Sequence, residues 1–180
     1  AVPLNYNLYR GNAQAIAGSG SPGVTDNTGL TAQFNNPHGM TYVNGNIYIA
    51  EQTNHRIRRL NLSTNAVTTL AGSTQGTNDG TGVSAQFSIP QGITTDGANL
   101  YVADSGSGRI RRIVIATGAV TTIAGAGSGG GTTCPGTVTT GCLDGIGQQA
   151  TFVGPNDITY NNGYLYISEY TGSRVRRMDL

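Results

Sequence analysis

The 180-residue sequence contains no lysine and no tryptophan, and only 11% of its residues are charged. All ten basic residues are therefore arginines, and the formal net charge at pH 7 is +1. A balance so close to zero lacks the basic excess with which proteins attract nucleic acid or membrane surfaces. Since no apolar run approaches the roughly 20 residues that a membrane-spanning helix needs, no membrane span is expected.

Histidine and cysteine are also scarce, with two residues of each type. Cys134 and Cys142 have no histidine or further cysteine nearby, which favours a local disulfide over a zinc site. A disulfide implies an oxidising compartment, so an extracellular or periplasmic location is expected. With only His38 and His55 available, the sequence predicts no metal site and no cofactor.

One sequence motif occurs three times in the chain, at residues 32–40, 85–93 and 150–158. Each copy reads Ala-x-Phe-x-x-Pro and is followed by a tyrosine-containing apolar run, an acid and an arginine triplet. The copies are 53 and then 65 residues apart, and the extra 12 residues, which contain both cysteines, lie between Gly125 and Asp144. A period of this length indicates an array of like structural units.

The second unit shows its strands most clearly. Apolar or β-branched segments at residues 92–95, 100–103, 109–115 and 119–124 are separated by glycine-containing turns, and no helical periodicity interrupts them. Four-stranded antiparallel units repeated around an axis are the blades of a β-propeller. The sequence therefore predicts an all-β propeller with three blades' worth of strands.

These motifs, taken in order, resemble the NHL repeat: Phe-x-x-Pro-x-Gly, Leu-Tyr-Val-Ala-Asp, Arg-Ile-Arg and Val-Thr-Thr-Ile-Ala-Gly. The resemblance extends from about residue 13 to residue 178. Three positions depart from it: Glu51 and Glu169 replace aspartate, and Asp157 replaces the glycine of the Pro-x-Gly motif. The resemblance implies a propeller fold. Propellers similar to the NHL repeat include RNA-binding proteins and a zinc-dependent lyase whose site needs several histidines.

The blades do not add up to a closed ring. Residues 1–12 form an N-terminal arm and residues 13–180 the propeller segment, with repeats at about 19–72, 73–125 and 126–180; residues 13–18 match an outer strand and are out of phase. Propellers have about four to eight blades, so three blades are half of a six-bladed ring or an open array. Further blades of a longer polypeptide, a two-chain ring made by strand exchange and a filament all stay open.

The repeated charged residues are predicted to be structural. We expect three ion pairs across the tight hairpins, Glu51 with Arg56, Asp104 with Arg109 and Glu169 with Arg174. A catalytic group is needed once, whereas these residues recur in every blade. His38, Gln91 and Asn156 vary within the fixed Pro-x-Gly frame and are candidate binding residues in axial loops. We expect His55 in a solvated turn, and Asp26, Asp79 and Asp144 as turn caps.

The sequence thus favours a non-catalytic, secreted propeller scaffold for protein interaction or self-assembly, completed by strand exchange or by further blades. Its expected partners are other copies of itself, further blades of a longer chain or a protein ligand. The alternative is a ligand-binding or zinc-dependent lyase-like propeller of which this chain is a part. Nucleic acid is disfavoured, because recognition of single strands normally adds exposed aromatic platforms.

Overall fold

The computed structural model describes residues 13–125 and 144–180. Within these ranges the chain forms β-strands joined by turns and short 3-10 segments. The predicted N-terminal arm, residues 1–12, lies outside the described residues, and so do Cys134 and Cys142. The disulfide between these cysteines therefore stays a prediction.

Each of the first two repeats contains the four strands that were predicted, and one additional two-residue strand precedes each set of four. The first repeat contains β1 Asn27–Thr28, β2 Pro37–Val43, β3 Asn46–Glu51, β4 Arg56–Asn61 and β5 Ala66–Gly72. The second contains β6 Gly80–Thr81, β7 Pro90–Thr95, β8 Asn99–Asp104, β9 Arg109–Val114 and β10 Ala119–Ala124. The third contains β11 Pro155–Asn161, β12 Tyr164–Glu169 and β13 Arg174–Asp179. The 3-10 segments are Gly29–Thr31, Gly82–Ser84, Ser105–Ser107 and Gly147–Gln149.

Each repeat folds into its own antiparallel sheet. The strand order is β1-β5-β4-β3-β2 in the first sheet, β6-β10-β9-β8-β7 in the second and β11-β12-β13 in the third. The short strands β1 and β6 pair with the outer edges of β5 and β10, which the sequence did not predict. Four consecutive hairpin-connected strands in each of the first two sheets confirm the blade predicted from the second repeat.

Tight turns hold these hairpins in register. Both central residues of the β2–β3 turn, Asn44 and Gly45, have positive φ, of 49° and 76°. Asn162 and Gly163 repeat this pattern between β11 and β12, at 48° and 86°. Asn-Gly with two positive φ angles is the two-residue turn whose twist matches that of the flanking strands.

The hydrophobic core lies between neighbouring sheets. One cluster joins the first sheet to the second, and Phe87 at its centre is fully buried together with Ile57 and Leu100. A second cluster joins the second sheet to the third through residues such as Ile110 and Leu165. Each sheet therefore contributes one apolar face to each of its neighbours, as the blades of a propeller do.

Residues 13–18, predicted as an out-of-phase outer strand, form no strand among the described residues. The physical reason is the lack of a neighbour. An outer strand needs an adjacent strand to receive its backbone hydrogen bonds, and no such strand lies beside this segment in the described part of the chain.

Candidate functional site

A buried ion pair recurs in every sheet. The carboxylates that end β3, β8 and β12 each accept a hydrogen bond from an arginine of the next strand, at Nη1–O distances of 2.8, 3.1 and 3.3 Å. In the first two sheets both side chains are fully buried. The pairs are Glu51–Arg58, Asp104–Arg111 and Glu169–Arg176.

The arginine in these pairs differs from the predicted one. Arg56, Arg109 and Arg174 do lie directly opposite the acids in the strand register, but the ion pairs are formed by the arginines two residues later. A diagonal neighbour about 7–8 Å away suits a long side chain better than one directly opposite. Arg109 instead donates to the backbone carbonyl of Thr77 at 2.6 Å.

Each of these central arginines also binds a second carboxylate, from the loop before the sheet. Arg58 reaches Asp26 at 2.6 Å, Arg111 reaches Asp79 at 2.9 Å and Arg176 reaches Asp144 at 2.7 Å. These aspartates, predicted as turn caps, therefore bind arginine across the sheet. The signal was present in the sequence, because the aspartate-to-arginine spacing is the same in all three repeats.

The guanidinium groups are further enclosed by backbone and aromatic contacts. Arg111 donates to the carbonyl oxygens of Gln86 and Asn78, and its guanidinium carbon lies 5.1 Å from the centre of the Phe87 ring. The same stacking occurs between Arg58 and Phe34 at 5.2 Å and between Arg176 and Phe152 at 5.1 Å. A cation over an aromatic face is stabilised by the ring quadrupole.

The charges in this network perturb one another. Burial raises the pKa of Asp104 to about 6, against hydrogen bonds from Ser107, Arg111 and the Ser88 N–H that favour the carboxylate. Burial acts in the same sense on Asp79, but hydrogen bonds from Thr122 and the charge of Arg111 outweigh it and lower the pKa of Asp79. The network positions a loop, two strands and a phenylalanine, and it leaves little room for a substrate.

The candidate binding residues lie at the starts of strands rather than within loops, and their role in binding stays a prediction. His38, Gln91 and Asn156 are each the second residue of the innermost strand of a sheet. The inner strands β2, β7 and β11 lie side by side, because Gly39 after His38 and Gly92 after Gln91 let the backbones approach. A Cβ on Gly92 would lie 2.6 Å from Cα of Asp157, and one on Gly39 would overlap the carbonyl oxygen of Gln91.

His55 is a residue whose role the sequence did not reveal. It was expected to be solvated, yet its Nδ1 accepts a hydrogen bond from the backbone N–H of Ile89 at 3.2 Å. Burial lowers the pKa of His55, and this also keeps the ring nitrogen available as an acceptor. The contact joins the β3–β4 turn of the first sheet to the second sheet.

The part of the chain that the structure describes holds no group of three or more histidine, cysteine, aspartate or glutamate residues able to bind a metal ion. Nor is any helix within those residues long and apolar enough to cross a membrane.

Two sheets of four hairpin-connected strands and a third of three, packed face to face with their inner strands adjacent, have the architecture of β-propeller blades. The family model for the NHL repeat matches residues 34–60. The chain is 37% identical over 62 residues to NHL repeat-containing protein 2 of Homo sapiens, covering 34% of this chain and 8% of that protein. With its three repeats, the chain is similar to NHL-repeat β-propellers.

Two further relatives extend the comparison. The chloroplastic Protein SUPPRESSOR OF QUENCHING 1 of Arabidopsis thaliana is 35% identical over 118 residues, which cover 59% of this chain and 11% of that protein. An auxiliary nutrient binding protein from Bacteroides thetaiotaomicron superposes with a TM-score of 0.61 at 25% identity, covering 74% of this chain and 34% of that one. The chain thus spans about a tenth of the curated relatives it matches and about a third of this structural neighbour.

Proposed function

We propose that this chain is a non-catalytic propeller scaffold that acts outside the cytoplasm, in protein interaction or self-assembly. The observation that supports the absence of catalysis most directly is the repeated ion-pair network. Its acids and arginines recur in all three sheets, and those of the first two are fully buried as pairs. Groups held in this way stabilise a fold and are withdrawn from substrate.

The three sheets also support an assembly role. Apolar side chains remain exposed at both ends of the row, including Met40 on the first sheet and Val175 on the third, which are 65% and 76% exposed. Exposed apolar faces of this kind mark sites of association. Further blades, from the same polypeptide or from another chain, would bury them.

The inner strands are the proposed ligand-binding surface. His38, Gln91 and Asn156 present three different polar side chains from equivalent places in neighbouring strands. The similarity to an auxiliary nutrient binding protein favours a ligand-binding role there. A nucleic-acid ligand is disfavoured, since Arg58 and Arg111 are fully buried and so withdrawn from contact with phosphates.

The predicted Cys134–Cys142 disulfide supports a location outside the cytoplasm, because such a bond persists only in an oxidising compartment. Sedimentation equilibrium of the purified chain over a hundredfold range of concentration tests the self-assembly role. We expect the chain to form species larger than a monomer. A folded chain that stays monomeric throughout this range would contradict a self-assembly role.

The absence of zinc chemistry needs its own test. After dialysis against micromolar zinc and then against buffer, the protein should retain well under one zinc ion per chain. Retention of one zinc per chain that is lost in a His38→Ala variant would instead support the lyase-like alternative.

A further inference from the structure

Residues 14–18 have the backbone arrangement of an outer strand. Gly18 has φ of +102°, which matches +94° at Gly72 and +102° at Gly125, the residues at or just after the ends of β5 and β10. A Cβ on Gly29 would lie 3.8 Å from the carbonyl oxygen of Ile16, and the corresponding distances are 3.9 Å for Gly82 and Leu70 and 3.7 Å for Gly147 and Ile123. The segment therefore lies against the first sheet as β5 lies against the second.

The third sheet has a place for such a strand. Val175 of β13 is 76% exposed, whereas its equivalents Ile57 and Ile110 are fully buried. In the first two sheets these residues are paired in register with the alanines of the outer strand, Ala71 and Ala124. The described residues provide no outer strand for the third sheet.

The carboxylate of Asp144 shows the same difference. Its equivalents Asp26 and Asp79 accept hydrogen bonds from the outer-strand N–H groups of Thr69 and Thr122, at 2.9 and 3.1 Å. Their side chains are 45% and 47% exposed, against 94% for Asp144. Asp144 thus lies where an outer-strand N–H would reach it.

We propose that residues 14–18 of one copy of this chain form the outer strand of the third sheet of a second copy. The register of the first two sheets transfers directly: Val175 pairs with Ala17, and Asp144 accepts from the N–H of Ala15. This inference rests on the proposed self-assembly and names its partner. Reciprocal exchange between two copies gives a six-bladed ring with two-fold symmetry.

A second copy is the donor that we propose, because the segment of the same chain is held at the far end of the row. Ala17 packs against Phe34 and Ile49 of the first repeat, and the second sheet lies between this cluster and the third sheet. One chain therefore cannot bring its own residues 14–18 to β13 while they hold this position.

The apolar faces at the two ends are complementary in the same arrangement. The first sheet presents Phe34, Met40 and Ile47, which with Ile16 line an apolar groove. Their equivalents in the second sheet, including Phe87, bury Ile57 of the preceding sheet. The third sheet of a second copy would present Val175 at the place of Ile57 and would cover this groove.

A cysteine pair tests the register. We replace Ala17 and Val175 by cysteine in a background in which Cys134 and Cys142 are serine. Directly opposite residues of antiparallel strands have Cα atoms about 4.5–5.5 Å apart, within the range that a disulfide spans. Mild oxidation should give a covalent dimer that resists denaturant, at least tenfold more abundant than in a control that pairs Ala17→Cys with Tyr170→Cys.

Three other outcomes would overturn the inference: crosslinks within one chain, no excess over the control, or a ladder of longer covalent species. A second variant in the native background covers the case in which the cysteine variants do not fold. Ala17→Glu places an unpaired charge at a position that is buried in the other blades, and should weaken association at least tenfold, whereas Ser21→Glu outside the segment should not. If the parent chain associates but Ala17→Glu associates equally well, strand exchange is wrong and the scaffold proposal stands. If the parent chain does not associate, self-assembly itself is wrong.

Discussion

At the scale of single residues, the most informative feature is the arginine at the centre of each triplet. Arg58 and Arg111 are fully buried and each holds two carboxylates and a phenylalanine ring. A buried charge that loses its partner is costly, because the remaining ion has neither solvent nor counter-charge. Removal of one partner from the network should therefore lower the free energy of unfolding strongly.

Replacement of Arg111 by methionine should reduce the free energy of unfolding by about 3–5 kcal/mol, since it leaves Asp104 buried without its arginine. Arg112, the exposed next residue in the same strand, provides the matched control. Arg112→Met should change stability by less than about 0.5 kcal/mol. Urea unfolding followed by circular dichroism measures both, and equal effects would contradict the assigned role of the central arginine.

His55 should make stability depend on pH. Burial lowers its pKa in the folded state, so the unfolded chain binds more protons as the pH falls below about 6.5, and stability decreases there. His55→Gly copies Gly108, the equivalent residue of the second repeat, which also has positive φ. Between pH 7.5 and pH 5 the melting temperature of the parent should fall more than that of the variant. An equal fall in both proteins would contradict a role of His55 in the pH dependence.

The predicted disulfide between Cys134 and Cys142 can be tested by thiol alkylation. Alkylation of the denatured, unreduced protein should modify neither Cys134 nor Cys142, and reduction should expose both. Intact mass spectrometry distinguishes the two states. Two free thiols in protein purified from an oxidising compartment would contradict the disulfide and weaken the proposed location.

At the scale of strands and sheets, the closeness of the inner strands depends on glycine. Gly39 is not among the glycines with a positive φ angle, so the backbone conformation does not require glycine there. It is required for space, because a Cβ on Gly39 would overlap backbone atoms of β7. The third repeat has Asp157 at this position. The second sheet packs against one side of Asp157, and the described residues provide no sheet on the other side. Any blade that follows must therefore approach the third inner strand less closely.

Gly39→Ala should accordingly destabilise the protein by about 1–3 kcal/mol, since the backbone of β7 must move to accept the methyl group. Asp157→Ala, at the equivalent position of the third sheet, keeps a Cβ and should cost less than about 1 kcal/mol. Chemical denaturation compares the two variants. A neutral Gly39→Ala would show that the inner strands can separate freely.

The strands could be predicted from the sequence because their signals are local. Residues 119–124 were predicted and form β10 without a change of boundary, and the other strands of that repeat differ by one or two residues. The pairing of Asp104 with Arg111 could not be read in the same way. Strand alternation places both Arg109 and Arg111 on the correct face, and only the position of Asp79 selects the second. The contact of His55 with Ile89 joins two repeats, and no local pattern reports it.

At the scale of the whole molecule, the described residues form three sheets in a row. The apolar residues at the two ends are equivalent to residues that are buried between the sheets, as Val175 is to Ile57. Since one apolar face meets another at each internal junction, the same chemistry favours a junction between the ends of two copies. Assembly and fold would then use the same contacts.

The molar mass in solution tests this account most directly. Light scattering should give twice the chain mass of 18.5 kDa, with the value constant at concentrations above the dissociation constant, because a closed ring has no free end at which to grow. A mass of one chain at every concentration, or a mass that rises steadily with concentration, would contradict the two-chain ring.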